Sequence, residues 1–272
     1  MRRWRVRGVG GKGGEERIMG SKTKIDWCDS SWNPVTGCLH GCEYCYAQRI
    51  AERFGGNQMP IFTDYPILHE PVKAEGKIQP YPFDFTPTFH KYRLDIPGRW
   101  TRPRTIFVCS MADLFGGWVP IPWILDVFEA CRKAPQHRFL FLTKNPERYL
   151  TLANHDMLPM DKNFWYGTSV TEPTQDYFFS DKHNTFISVE PILKPLGESL
   201  TRKKYQFPGW IIVGAETGNR KGKVKPEKWW IDELVHQAQA HWMTPVFMKE
   251  SLRAIMGDDF RQEYPWEQKR GT

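Results

Sequence analysis

No stretch of this 272-residue chain approaches the roughly 18–20 consecutive apolar residues that a helix needs to cross a bilayer, so a spanning helix is excluded. The N-terminal arginines have no apolar run behind them; a secretory leader is therefore not expected, and a cytoplasmic setting without membrane contact is. Cysteine is scarce. The chain holds six, too few and too unevenly placed for a disulfide scaffold. Internal repeats are absent, and low complexity is confined to the first twenty residues. What remains is a chain 40% hydrophobic and 25% charged, the balance of a globular protein, long enough for one large core or two small ones.

The net charge of +7 is concentrated at one end. Residues 1–20 (MRRWRVRGVGGKGGEERIMG) hold six Lys/Arg and two Glu, leaving a net of only +3 for everything after them. Too few apolar residues lie there to fold alone, so a disordered basic arm is expected. It reads either as a phosphate-binding arm that reaches nucleic acid, or as an extension ahead of a start at Met19.

Short, almost wholly apolar runs recur at residues 105–110 (TIFVCS), 138–143 (RFLFLT), 163–170 (NFWYGTSV), 185–190 (TFISVE), 210–214 (WIIVG) and 245–249 (PVFMK). Runs without polar alternation suit strands buried on both faces of a parallel sheet. Ile121, Ile124, Leu125, Phe128 and Cys131 share one face of a helix that starts near Pro122 and ends before Pro135. Trp230, Leu234, Ala238 and Trp242 do the same after Pro226, and Ala47, Ile50, Ala51 and Phe54 indicate a short helix closed by Gly55 and Gly56. Strand and helix in alternation predict βαβ units, hence a doubly wound sheet or a barrel. Residues 57–104 break the rhythm with eight of the 21 prolines and several aromatics; an ordered insertion is expected there.

The sharpest local signal is GCLHGCEYCYA at residues 37–47, where Cys38, Cys42 and Cys45 are spaced C-x3-C-x2-C. Thiolates are the usual ligands of a [4Fe–4S] cube, and three of them leave one iron open. Gly37 and Gly41 permit the backbone angles a tight wrap needs. Zinc on the three thiolates with His40 or a distant histidine is the alternative, but no second C-x2-C and no H-x3-H is present. A third reading is three free core cysteines in a loop otherwise rich in Gly, His and Glu.

The motif resembles that of the radical S-adenosylmethionine (SAM) superfamily, C-x3-C-x-aromatic-C, here Cys38, Cys42, Tyr44 and Cys45. KIDWCDSSWNPVTGC, IFVCSMADLF, APQHRFLFLTKNPERY, FISVEPILKPL and IIVGAETGNR are similar to a phage-associated radical SAM group, many of whose members have a longer first cysteine spacing. A weaker likeness is to spore photoproduct lyases. The resemblance implies an α/β fold, a partial (β/α)6 barrel spanning residues 21–256 with 57–104 inserted before the second strand, and a C-terminal tail at 257–272. It implies a [4Fe–4S] cluster on Cys38, Cys42 and Cys45, and SAM on the open iron. One-electron cleavage would then give a 5′-deoxyadenosyl radical, with flavodoxin or ferredoxin as electron donor.

The resemblance also carries roles. Ser110 and Asp113 are expected to receive the SAM ammonium, although Asp113 also reads as a helix cap. Lys144 would meet the carboxylate. Ser169 and Glu190 would face the ribose hydroxyls; a glutamate ending an apolar strand is costly to bury without a partner. Tyr44 would line the adenine pocket. Glu216 would contact substrate or pair with Arg220. Cys109 is a candidate hydrogen-atom donor or a small core residue, and Cys131 is expected in the core. Three functions remain at this point: a radical SAM enzyme on nucleic acid or nucleoside, one on a small metabolite or peptide, and a non-catalytic zinc-stabilised nucleic-acid-binding module.

Overall fold

The computed structural model describes residues 23–56, 64–196 and 207–267. The basic arm, the start of the insertion and the last five residues lie outside the described residues. In chain order the elements are β1 (Ser30–Trp32), β2 (Val35–Thr36), α1 (Tyr46–Phe54), β3 (Ile67–Leu68), β4 (Lys73–Ala74), β5 (Lys77–Ile78), β6 (Thr88–His90) and β7 (Thr105–Val108). Then come α2 (Ile121–Arg132), β8 (Arg138–Thr143), α3 (Pro146–Asn154), β9 (Phe164–Ser169), β10 (Asn184–Val189), β11 (Ile211–Val213), α4 (Lys228–Trp242), β12 (Val246–Met248) and α5 (Arg253–Met256).

Seven strands form one sheet in the order β1-β7-β8-β9-β10-β11-β12, and every neighbouring pair is parallel. The apolar runs are continuous because both faces are covered. Ile106, Phe139, Phe141, Phe164 and Tyr166 point outward to a core shared with Ile124, Val127 and Phe128 of α2 and with Tyr149 and Leu152 of α3. Ile187, Val189, Ile211, Val213, Val246 and Met248 point outward to Ile231, Leu234 and Val235 of α4. The intervening residues Phe107, Leu140, Trp165, Phe186, Ile212 and Phe247 face inward, with Trp27 and Trp210. Side chains of period two therefore build two layers from one sheet.

The sheet curls into a partial barrel. Trp27 packs on Phe107 at 4.6 Å between ring centroids and also on Phe186 and Trp210 at 6.4 Å, so strands far apart in sheet order meet one ring. Strands β1 and β12 do not pair; instead side chains span the seam. The Glu250 amide donates to Asp26 Oδ2 (2.7 Å), Tyr264 Oη donates to the Asp26 carbonyl (3.4 Å), and Lys249 lies 4.0 Å from the Asp26 carboxylate.

The residues after α5 close the barrel floor. Gln262 bridges Phe247, the Glu263 amide donates to the Val246 carbonyl (3.1 Å), and Trp210 Nε1 donates to the Glu263 carbonyl (2.9 Å). Tyr264 and Trp266 then stack beneath Trp210 at 5.7 and 5.1 Å. Each buried large side chain contributes about 1.5–3 kcal/mol.

The described part of the insertion, residues 64–104, supplies β3 and β6, which form a three-stranded sheet with β2 from ahead of the cysteine loop, and the β4-β5 hairpin. It is anchored to the barrel by Phe89 stacked on Trp123 (5.1 Å). The buried Arg93 donates to the carbonyls of Asn33 (2.9 Å) and Pro80 (3.2 Å). Among the described residues no helix is long and apolar enough to cross a membrane.

Candidate functional site

The C-terminal strand ends open into a cavity of about 370 Å³. Barrel enzymes work at this face because each strand releases a different loop there. The cysteine loop forms one wall, with Cys38, Cys42 and Cys45 all lining the cavity and all partly exposed. The backbone explains its shape. Gly37 adopts φ +86°, donates to the Met111 carbonyl (2.9 Å), and sits where a Cβ would come within 2.3 Å of the Thr86 carbonyl oxygen, so only glycine fits. Cys38 donates to the Phe85 carbonyl (3.2 Å), which ties the loop to the insertion. Cys45 caps α1, its Sγ accepting from the Gln48 amide (3.4 Å).

Asp113 is the fastening point. Its Oδ2 accepts from His40 Nε2 (2.7 Å), Thr143 Oγ1 (3.0 Å) and the Lys144 amide (2.9 Å), and its Oδ1 accepts from the Phe115 amide (3.0 Å). A carboxylate satisfied by four protein donors, with its side chain 7% exposed, locks the cysteine loop to the end of β8. The His40 ring is held further by Trp118, edge-on at 4.8 Å. No helix begins at Asp113, so the expected helix cap is replaced by a turn contact to the Phe115 amide, and the side chain also lines the cavity.

The other expected residues come to the same cavity from separate strand ends. Ser110 and Lys144 line it after β7 and β8, Ser169 ends β9, and Glu190 and Glu216 follow β10 and β11. Ser110 Oγ donates to Asn33 Oδ1 (3.2 Å). Lys144 Nζ lies 3.3 Å from Tyr44 Oη and 5.3 Å from the Tyr44 ring centroid, so the two line one corner together. Glu190 is ion-paired with Lys249, whose stem crosses the end of β11. Gly214 makes room for it, since a Cβ there would lie 2.8 Å from Lys249 Cδ. Glu216 accepts from Arg220 Nε (2.6 Å) and an Arg220 terminal nitrogen (2.8 Å), and these bonds hold its carboxyl below the usual carboxylate range. Arg220 also approaches Glu43 of the cysteine loop at 3.5 Å.

Cys109 does not reach this cavity. Alternation along β7 would turn it inward with Phe107, but its φ of +60° breaks the period directly after the strand. The side chain joins the outer core instead, 2% exposed, where burial pushes its thiol up to about 12; Ser110 takes the place on the cavity wall. Cys131 is buried in the same outer core.

Sequence reasoning passed over His40 as a positioning group, and Tyr46, Arg49, Thr143, Ser188 and Lys249 as lining residues. Lys249 carried a readable signal, a lone charge ending an apolar run, as in Glu190.

Three thiols along one cavity wall are the donor type that an iron–sulfur cluster takes. Burial pushes the Cys38 thiol up to about 12, against the lowering effect of a backbone hydrogen bond from His40. Among the described residues no three His, Cys, Asp or Glu side chains form a group able to hold a metal ion.

The family model described as "Protein of unknown function (DUF5131)" matches residues 22–252. No curated protein matches the chain. Among solved structures, the chain is similar to a mutant spore photoproduct lyase with dinucleoside spore photoproduct, at 12% identity and a TM-score of 0.49, over 90% of this chain and 88% of that one. Spore photoproduct lyase complexed with dinucleoside spore photoproduct gives 13%, 0.47, 90% and 88% in the same order. A double mutant with bound AdoMet and dinucleoside spore photoproduct gives 12%, 0.48, 89% and 86%.

Proposed function

We propose that this chain, which belongs to the family described as "Protein of unknown function (DUF5131)", is a radical SAM enzyme acting on a nucleic acid or nucleoside. One observation carries the reading: the three motif cysteines and polar side chains released by five different strands, β7 to β11, line a single cavity. A structural site needs no such convergence of unrelated loops.

In this reading Cys38, Cys42 and Cys45 hold a [4Fe–4S] cluster. When bound and reduced, the cluster supplies the electron that splits SAM into methionine and a 5′-deoxyadenosyl radical. The chain's own residues bind and orient. Lys144 receives the SAM carboxylate, and the ammonium goes to Ser110, because Asp113 spends its lone pairs on His40, Thr143, Lys144 and Phe115. Glu190, neutralised by Lys249, keeps an oxygen for a ribose hydroxyl, with Ser169 beside it. Tyr44, fixed by Lys144, offers its ring to the adenine. Glu216, clamped by Arg220, presents a fixed charge toward the substrate. Inward aromatics below the cavity exclude water. The electron donor is a small redox protein of the flavodoxin or ferredoxin type.

The test is anaerobic iron and sulfide reconstitution followed by SAM and dithionite. The expected protein is brown, bleaches on reduction, and releases 5′-deoxyadenosine only when SAM and reductant are both present. A colourless protein with stoichiometric zinc overturns the reading in favour of a zinc-stabilised binding module.

A further inference from the structure

The cavity mouth carries features that neither the cluster nor SAM uses. Helix α1 leaves the cysteine loop with only Ala47 and Ala51 buried. Tyr46, Ile50 and Phe54, four residues apart and so on one stripe, are 50%, 37% and 53% exposed. A stripe of this kind on a free helix face marks a contact surface. Beside it run cations. Arg49 and Arg53 are exposed on α1 with no ion pair to either among the described residues; Arg49 donates to the Glu43 carbonyl (3.3 Å), and the Arg53 guanidinium lies 5.3 Å from the Phe54 ring centroid, leaving the other ring face to a base. The loop after β11 adds Lys221, Lys223 and Lys225, for which no ion pair is found among the described residues. The two segments touch: Arg49 lies where a Cβ on Gly218 would be 3.5 Å from its guanidinium, and Lys223 Nζ donates to the Gly218 carbonyl (3.2 Å). The cysteine loop and α1 carry two carboxylates, Glu43, which Arg220 approaches at 3.5 Å, and Glu52, which accepts from Gln48 Nε2 (2.9 Å) and keeps its charge. Tyr46, Arg49 and Gly218 also line the cavity, so this surface is its rim.

Size narrows the occupant. Pockets for small molecules run from about 300 to 1,000 Å³, so a cavity near 370 Å³ that takes SAM leaves room for little more than one reacting unit. The bulk of the substrate must then lie outside, on the rim. We propose that this rim is a docking surface for single-stranded nucleic acid, with Arg49, Arg53, Lys221, Lys223 and Lys225 on its phosphates and Phe54 stacking a base. The proposal deepens the radical SAM reading and rests on it for the choice of substrate. A duplex is disfavoured because an exposed ring stacks only on a base that has left its neighbours. An acidic protein is the competing occupant, since charge alone would suit it equally; the exposed rings of Tyr46 and Phe54 beside the cavity favour nucleic acid.

The experiment measures binding of a fluorescently labelled single-stranded 15-mer by anisotropy, using full-length reconstituted protein at several salt concentrations. Joint substitution Lys221→Ala, Lys223→Ala and Lys225→Ala is expected to weaken binding by about tenfold or more. It should also lower the slope of log affinity against log salt by roughly two, since each single-strand phosphate contact contributes about 0.7. Phe54→Ala is expected to weaken binding at least about fivefold with the salt slope unchanged, the signature of lost stacking. Joint substitution of Arg2, Arg3, Arg5 and Arg7 by alanine is the counter-test: loss of binding there, with none in the lysine variant, places the contact on the N-terminal arm and overturns the proposal. Equal competition by polyglutamate also overturns it, in favour of an acidic protein. Formation of 5′-deoxyadenosine is assayed separately without oligonucleotide. If it fails while rim-dependent binding persists, the radical reading falls and the surface stands; the reverse pattern removes the surface alone.

Discussion

The two ends of the barrel interior are built on the same strands and differ in almost everything else. At the floor Trp27, Phe107, Trp165, Phe186, Trp210 and Phe247 fill the space, sealed from below by Tyr264 and Trp266. At the mouth the residues just beyond those strands are Ser110, Lys144, Glu190, Glu216 and Lys249. Moving a few residues along one chain replaces aromatic rings by charges that have partners. The floor holds the curvature, and the mouth spends that rigidity on a group of side chains whose charges would be costly to gather otherwise.

This contrast makes predictions that can break it. The largest effect belongs to the mouth: Cys42→Ala should remove bound iron and reduce 5′-deoxyadenosine formation by at least about a thousandfold. Its melting temperature without cluster should nevertheless match that of the metal-free parent, by iron assay, product chromatography and calorimetry. At the floor the pattern reverses. Trp210→Ala is expected to cost about 3–5 kcal/mol in denaturant unfolding, and protein that stays folded should still take up iron. Equal loss of iron in both variants would show that the two ends are not separable.

Asp113 sharpens the boundary between them. Asp113→Ala leaves the buried Phe115 amide and the Thr143 hydroxyl without their acceptor, at a cost of about 1–3 kcal/mol. It also frees His40, so slower iron uptake should accompany the loss of stability. A variant that takes up iron at the parent rate would show that the cysteine loop holds its own shape.

A smaller effect concerns acid. Arg220 holds the Glu216 carboxyl below its ordinary value of 4.5. A depressed folded-state value means a contribution to stability that is present above that ordinary value and lost as pH falls through the lower one. Glu216→Gln should therefore lower the melting temperature near neutrality and flatten the profile below about pH 4.5, where parent and variant converge, by thermal melts across pH. The smallest expected effect is at Cys109. Because its side chain lies in the outer core, Cys109→Ala should leave 5′-deoxyadenosine formation within about twofold of the parent.

Much of this was legible in the sequence. Unalternating runs such as RFLFLT gave strands, because burial on both faces leaves no place for polar residues, and the cysteine spacing marked the loop. Polar residues closing those runs marked the mouth, since a charge at the end of a buried strand needs a purpose. The rest depended on distance or backbone. β1 has three residues and α3 nine, too short for a period to declare itself. His40 and Asp113 are 73 positions apart, and Lys249 and Glu190 are 59 apart, so their pairings exist only once the sheet has curled. Cys109 was misleading because one left-handed residue reverses the parity of a strand, which no alternation rule anticipates. The floor was hidden in the tail, whose tyrosine and tryptophan belong to the barrel they follow.

The seam between β1 and β12 has one more consequence. Everywhere else round the wall, separating two strands means breaking a ladder of backbone bonds in concert. Here, among the described residues, Asp26 links the two edges through single contacts to Lys249, Glu250 and Tyr264. The barrel therefore has a preferred direction of compliance, like a ring cut once and clasped. Amide hydrogens flanking Asp26 and Glu250 should exchange sooner than those of β8 and β9.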